Sequence, residues 1–264
     1  MEVEKQDIDL MKKLLTMKES ALFNLMHDLL RNNFGYKVTR FKNVLYAKGD
    51  IPVGLLAHVD TVYKEQPDVI FHDEEYNLMW TPQGLGADDR AGIFAILKIL
   101  QTGRKPTVII TKGEESGGIG AYELVSKMKN YPKDLNFLIQ LDRQGFDDAV
   151  FYKCANKKFE KYITGFGFKT QLGTFTDISI IAPAWKVAAV NLSVGYINEH
   201  SVVEHWFYDS CFDTIDKVRM ILDDVAINKK DTKFKYIPAK EKGRARRYYD
   251  YYESFASEVS QATV

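Results

Sequence analysis

The run IPVGLLAHVD (residues 51–60) is apolar for the length of a β-strand and then changes abruptly into His58 and Asp60. The same event recurs along the chain. TVIITKGEE (107–115) ends in Glu114 and Glu115, and LNFLIQLD (135–142) ends in Asp142. Short apolar runs bounded by polar residues read as strands buried on both faces, and such strands need a layer of helices on each side. The intervening stretches supply them: DDRAGIFAILKIL (88–100), GIGAYELVSKMK (118–129), FEKYITGFGF (159–168) and residues 210–225 carry helical patterning, and VAAVNLSVG (187–195) adds a further strand. This alternation predicts a three-layer α/β/α domain with a mostly parallel central sheet. Residues 8–30 read as one or two amphipathic helices stopped by Asn33 and Gly35, and 69–80 as a hairpin.

With 264 residues, 45% of them hydrophobic, the chain can bury a sizeable core. We expect residues 1–228 to form a single α/β domain. Residues 229–264 differ in kind, with Lys and Arg dominating 229–247 and the aromatic cluster Tyr248, Tyr249, Tyr251 and Tyr252 following, and read as a basic and aromatic extension. Lys plus Arg balance Asp plus Glu at 36 each, so no global field draws the chain to nucleic acid or an anionic membrane. The tail alone offers phosphate contacts and stacking, and a solvated or partner-binding extension is the preferred reading of it. Cys154 and Cys211 lack any metal or disulfide spacing. The charged, amphipathic start of the sequence does not resemble a secretory signal, and no stretch approaches membrane-spanning length, which makes the cytoplasm the expected location.

The functional signal lies in where the polar motifs fall. His58 with Asp60, Glu114 with Glu115, Asp142, and Glu199 with His200 all follow predicted strands at their carboxyl ends, the edge where open α/β sheets bind ligands. Imidazole and carboxylate donors without thiolate suit zinc, manganese or cobalt. In GADDRAG (86–92), Asp88 stands at the entrance of a helix, where a carboxylate can bridge two cations. Taken singly, each residue has a plain alternative. His58 alone reads more often as a hydrogen-bonded core histidine, Asp88 and Asp89 as a helix N-cap, Glu114 and Glu115 as charges favouring a helix start, Asp142 as a turn residue and His200 as a surface histidine. Their common placement at one edge is what favours a site.

These motifs, in this order across residues 51–225, resemble the di-zinc exopeptidase superfamily that includes peptidase T, acetylornithine deacetylase, bacterial leucine aminopeptidases and the tetrahedral aminopeptidases. The resemblance implies that fold, of the phosphorylase/hydrolase-like type. It also implies a pair of divalent ions, zinc before manganese or cobalt, held by His58, Asp88, Glu115, Asp142 and His200. Asp88 would bridge the ions, with the peptide bond to Asp89 cis. Asp60 would orient the His58 imidazole, and Glu114 would act as the general base. His205 is the competing histidine, and the family pattern favours His200. GTFTDISII (173–181) resembles the Gly-Thr-Asp turn before the last strand in peptidase T-like enzymes, so Asp177 faces substrate, supports the metal ligands from behind, or forms a plain turn.

Many relatives insert a lid or dimerisation domain of about a hundred residues, which needs its own core. The stretches 59–87 and 143–199 are too short for one. The resemblance thus implies a bare catalytic domain acting on a peptide or small amide, alone or as a homo-oligomer. DDRAG and the missing lid favour an aminopeptidase, with Asp89, Glu199 and Asp177 as candidates to receive the substrate amine. A deacylase or carboxypeptidase on small N-acyl amino acids or peptides is the alternative, and a non-catalytic binding protein on the same fold a lesser one.

Overall fold

Two helices, α1 (Lys5–Thr16) and α2 (Glu19–Asp28), open the chain, and α2 runs into a single π-helical turn, Leu29–Asn33. In chain order there follow β1 (Val38–Arg40), β2 (Val44–Ala47), β3 (Ile51–His58), β4 (Phe71–Asp73), β5 (Leu78–Trp80), α3 (Ala87–Gln101), β6 (Pro106–Thr111), α4 (Ile119–Lys127) and β7 (Phe137–Arg143). The remainder is β8 (Asp148–Val150), α5 (Lys157–Thr164), β9 (Lys169–Gln171), α6 (Ile178–Trp185), β10 (Ala189–Ser193), β11 (Tyr196–Ile197), β12 (His205–Phe207) and α7 (Tyr208–Ile227). The computed structural model describes residues 3–129 and 134–239; the tyrosine cluster at 248–252 lies outside them.

Eight strands form one sheet in the order β1-β2-β6-β3-β7-β10-β8-β9. Its centre, β6-β3-β7-β10, is parallel throughout, with antiparallel pairs where β2 meets β6 and β8 meets β10. The central strands are apolar because both faces are covered. Leu55, Ala57, Val108, Ile110 and Ile139 face a core shared with α1, α3 and α7, whereas Leu56, Ile109 and Leu138 face α4 and α6. Full burial of one such side chain stabilises the fold by about 1.5–3 kcal/mol, so these alternating faces fix the register. The three-layer α/β architecture expected from the sequence is thus observed. No described helix is long and apolar enough to cross a membrane.

Two residues of the DDRAG motif lock α3 in place. At Gly92 a Cβ would collide with the carbonyl of Leu141 on β7, so only glycine lets the helix lie this close to the strand. Arg90 is buried and donates from Nη1 to the carbonyls of Leu14 at 3.0 Å and Met17 at 2.9 Å, satisfying backbone acceptors at the end of α1.

Three features differ from the sequence reading. Residues 178–185 form α6, although ISIIAPAW is rich in β-branched isoleucine and contains Pro183. The helix exists because Ile178, Ile181, Ala182 and Trp185 bury one face, which overrides local propensity. The hairpin β4-β5 extends into a second, antiparallel sheet, β11-β12-β5-β4, through pairing across more than a hundred residues. The segment after α7 also returns to the body. Phe234 packs among Phe137, Phe159 and Tyr162, and Cys154 and Val187 form bridges with Pro238 and Lys235.

Candidate metal centre

The carboxyl ends of β3, β7 and β10 and the loops after β6 and β11 meet in one place. His58, at the tip of β3, is fully buried. Its backbone N–H donates to Asp89 Oδ2 at 3.1 Å, and its Nδ1 lies 3.0 Å from the Asp60 carbonyl oxygen. A carbonyl only accepts, so Nδ1 carries the proton and Nε2 presents a lone pair. That lone pair faces Asp88 Oδ1 at 3.2 Å, Asp142 Oδ1 at 3.4 Å and Glu114 Oε2 at 4.0 Å.

Asp88 divides its two oxygens between two imidazoles. Oδ1 faces His58 Nε2, and Oδ2 stands 3.1 Å from Nε2 of His200. His200 Nε2 is in turn 3.0 Å from Glu115 Oε1. Among the described residues two of the groups arranged to hold a metal ion are therefore His58-Asp88-Asp142 and Asp88-Glu115-His200, sharing Asp88; a third overlaps them, His58-Glu114-Glu115. The peptide bond from Asp88 to Asp89 is cis.

The electrostatics favour a cation here. Burial, the largest influence on Glu114, raises its pKa, and the charges of Asp142, Asp177 and Asp88 add to this while His58 opposes, leaving it at about 9. Asp142 reaches about 7, chiefly through burial and then through Asp88, against the lowering effect of His58. His58 is pulled down by burial, but the charge of Asp142 and the close carboxylates of Asp142, Asp60 and Asp88 outweigh this and raise it well above its ordinary value. Hydrogen bonds to Asp88 and then Glu115 raise His200 to about 11. These are the signs of several negative groups converging with too little positive charge among them. The buried Nε2 of His58 and Oδ1 of Asp88 both lack a hydrogen-bond partner, and two lone pairs aimed at each other in a dry site need a cation between them. The donor set fits a divalent metal.

The other sequence candidates fall nearby in different settings. The Asp60 carboxylate is 3.5 Å from His58 Nδ1, farther than the carbonyl of the same residue. Its oxygens instead accept the backbone N–H groups of Gly113 at 2.8 Å, Glu114 at 3.3 Å and Glu115 at 3.1 Å, which shapes the loop presenting both glutamates. Burial raises its pKa, but the hydrogen bond and charge of His58 together with the backbone donors lower it to about 2. Asp89 does not face substrate. It is fully buried and spends its oxygens on the N–H groups of His58 and Gly92, the latter at 2.9 Å. Asp177 is likewise fully buried, taking the Thr111 hydroxyl, so it supports the site from beneath rather than meeting a ligand amine. Glu199, half-buried beside His200, is the one of the three with solvent access. His205 points elsewhere, stacking on Trp80 and bonding the Val203 carbonyl.

Several contributors were invisible in the sequence. Glu204, fully buried, accepts the N–H of Gly86 at 2.8 Å and of Asp88 at 3.0 Å. Tyr63 donates to the Ser201 carbonyl at 2.7 Å and to Glu204 at 3.3 Å, tying the Asp88 loop to the His200 loop. Asp142 is fixed by Thr176 at 2.7 Å, Gln140 at 3.0 Å and Tyr196 at 3.1 Å. Gln140 and Thr176 lie inside the runs 135–142 and 173–181 and Glu204 four residues after His200, but nothing local distinguishes Glu204 from a surface acid.

No family model and no curated protein matches the sequence. Solved structures do match. A tripeptidase of Staphylococcus aureus is 16% identical and superposes over 85% of this chain and 99% of its own with a TM-score of 0.72. The aminopeptidase PepT of Bacillus cereus gives 14%, 83%, 98% and 0.68 for the same quantities. This chain has their fold. The TET1 peptidase of Pyrococcus horikoshii, which assembles into a tetrahedron or a large octahedral shell, shares it too, at 13% identity over 82% of this chain and 99% of its own, with a TM-score of 0.58. The three-layer fold implied by the sequence motifs is thus the one these peptidases share.

Proposed function

We propose that this chain is a metal-dependent exopeptidase of the aminopeptidase type, holding two divalent ions, most simply zinc. His58 and Asp142 would hold one, Glu115 and His200 the other, with Asp88 placed to serve both. The observation that carries this reading is the division of the Asp88 oxygens, each directed at a different imidazole. When bound, such ions acidify water and polarise the scissile carbonyl. Glu114, whose Oε2 lies 4.0 Å from His58 Nε2, would take the proton from that water and deliver it to the leaving amine. Asp60 sets the Glu114-Glu115 loop so that one carboxylate serves each task. Glu199 is the group we assign to the substrate's free amine. The aminopeptidase PepT of Bacillus cereus and the assembling TET1 peptidase of Pyrococcus horikoshii support both the amino-terminal specificity and a homo-oligomeric form.

Elemental analysis of the purified protein beside hydrolysis of amino-acid anilides tests the proposal. Two equivalents of zinc and turnover of free-amino substrates are expected. A clear preference for N-acetylated substrates would instead establish the deacylase alternative, and metal-free protein with no hydrolysis after zinc addition would end the enzymatic reading.

A further inference from the structure

Where the start of α2 meets the loop that follows Asp60 there is an open cavity of about 460 Å³, within the range of about 300–1,000 Å³ common for small-molecule sites. Lys18, Glu19 and Ser20 line it from the helix, residues 61–66 from the loop and Arg90 from α3. None of His58, Asp88, Glu115, Asp142 and His200 takes part in its wall.

Three kinds of donor meet here, each with capacity left over. The first is the helix. The opening turn of an α-helix leaves its N–H groups without acceptors inside the helix. α2 begins at Glu19 behind Lys18, whose ammonium has no acceptor with which to cap them. Leu22 N–H is already bonded to the Lys18 carbonyl at 2.9 Å, so the N–H groups of Glu19, Ser20 and Ala21 stand ahead of the first helical bond. The second is Arg90. It is 1% exposed and directs Nη1 to the carbonyls of Leu14 and Met17, while its buried Nε has no hydrogen-bond partner. An unpaired buried donor destabilises by about 1–3 kcal/mol, and an acceptor entering the cavity would relieve that. The third is the pair Lys18 and Lys64, both exposed and in no ion pair among the described residues. Of the two acids in the wall, Glu19 is held by Lys112 at 3.0 Å, so the cations outnumber the one acid left, Glu65.

We propose that this cavity is an anion site separate from the metal centre, and that its ligand carries a phosphate group. A carboxylate presents two oxygens in one plane. Helix N–H groups, a guanidinium and two ammonium groups, reaching the cavity from α2, α3 and a loop, suit the several tetrahedrally placed oxygens of a phosphate, and its charge of about −1.5 to −2 offsets the desolvation of Arg90. A water molecule takes up about 30 Å³ of liquid, so one phosphate leaves room for the organic part of a monoester. The same loop carries Tyr63, which bonds the Ser201 carbonyl and Glu204, and Arg90 follows Asp88 closely in the chain, so occupation would be felt at the metal centre through these residues. The inference goes beyond the peptidase reading and does not depend on it.

Calorimetric titration with inorganic phosphate, and separately with phosphoserine, tests the proposal on the full-length protein, zinc-loaded and again after stripping with EDTA and dialysis. Phosphate oxygens also coordinate divalent ions, so the stripped protein isolates the cavity. One equivalent of phosphate is expected to bind it with a Kd of about 1 mM or below, and the zinc-loaded protein is expected to retain this site. Tighter binding of phosphoserine would identify the ligand as a monoester, and equal or weaker binding as the free ion. Lys18→Glu combined with Lys64→Glu is expected to weaken binding by about tenfold or more, whereas Lys158→Glu, on the exposed surface of α5, is expected to change it by less than about twofold. Arg90→Lys keeps the charge without the planar fork and is expected to weaken binding by about tenfold; if that variant does not fold, the lysine pair decides. Absence of binding to the stripped protein, affinity unmoved by the paired lysine change, or an equal loss in Lys158→Glu would overturn the assignment.

Discussion

Glu204 accepts the backbone N–H of Asp88 at 3.0 Å, so a carboxylate with no direct line to either imidazole sets the position of the residue that faces both. Its second oxygen takes the N–H of Gly86, and both donors are buried. In Glu204→Gln one of those donors meets an amide NH2 instead of an acceptor. We expect zinc affinity to fall by about tenfold to a hundredfold, the range for outer partners of metal ligands, with the fold retained. Calorimetric zinc titration measures it, and unchanged affinity would show that the loop holds its shape unaided.

Glu114→Gln keeps the shape of the side chain and removes its capacity to carry a proton. The rate is expected to drop by about a hundredfold or more while the metal content stays at that of the parent. His58→Ala is expected to lose metal outright. Equal metal loss in the two variants would mean that Glu114 is a ligand and not the base.

The pH dependence of stability in chelated protein follows from the same residue. Its folded-state pKa lies far above its unfolded value, so the folded form holds an extra proton between them. The resulting stability is fully present below the unfolded pKa and is lost as pH rises towards the folded one. In EDTA, Tm is therefore expected to fall between about pH 5 and pH 8, and to fall less steeply in Glu114→Gln. Parallel curves for the two proteins would contradict the assignment.

Metal binds the folded state alone, because its donors come from strands and loops far apart in sequence. Saturation to about a hundred times Kd adds about 2.7 kcal/mol, which for a domain of this size raises Tm by about 5–10 °C. Thermal scans with and without EDTA give the comparison, and coincident curves would exclude a resident metal.

Phe234 supplies an aromatic contact to Phe137, Phe159 and Tyr162 although it lies beyond α7. Phe234→Ala is expected to cost about 2 kcal/mol in urea denaturation, below the 3–5 kcal/mol of a fully enclosed phenylalanine because the side chain is only half-buried.

The strands that carry His58, Glu114, Glu115 and Asp142 were legible because each couples a short apolar run to an abrupt polar end, and both signals are local. Asp88 and His200 could be placed by order and by family resemblance. Glu204 could not, since what distinguishes it is a pair of bonds to residues 86 and 88, more than a hundred positions away. Helix α6 was hidden for a related reason: isoleucines and Pro183 argue against a helix locally, and only the apolar layer beneath it decides the matter. Asp89 and Asp177 carry the same side chain as Asp88, so composition cannot tell the residue that faces both imidazoles from one that accepts backbone N–H groups and one that takes the Thr111 hydroxyl.

The minor sheet has a mechanical consequence. Strand β5 leads into the turn that ends at Asp88, and His200 lies between β11 and β12, which belong to that same sheet. His200 therefore rides on the small platform, while His58 and Asp142 are bolted to the large one and Asp88 opens α3, which lies against the large sheet. Lengthening or regrafting the 71–80 hairpin would shift the imidazole of His200 against the acid it shares, and leave the gap between His58 and Asp142 untouched.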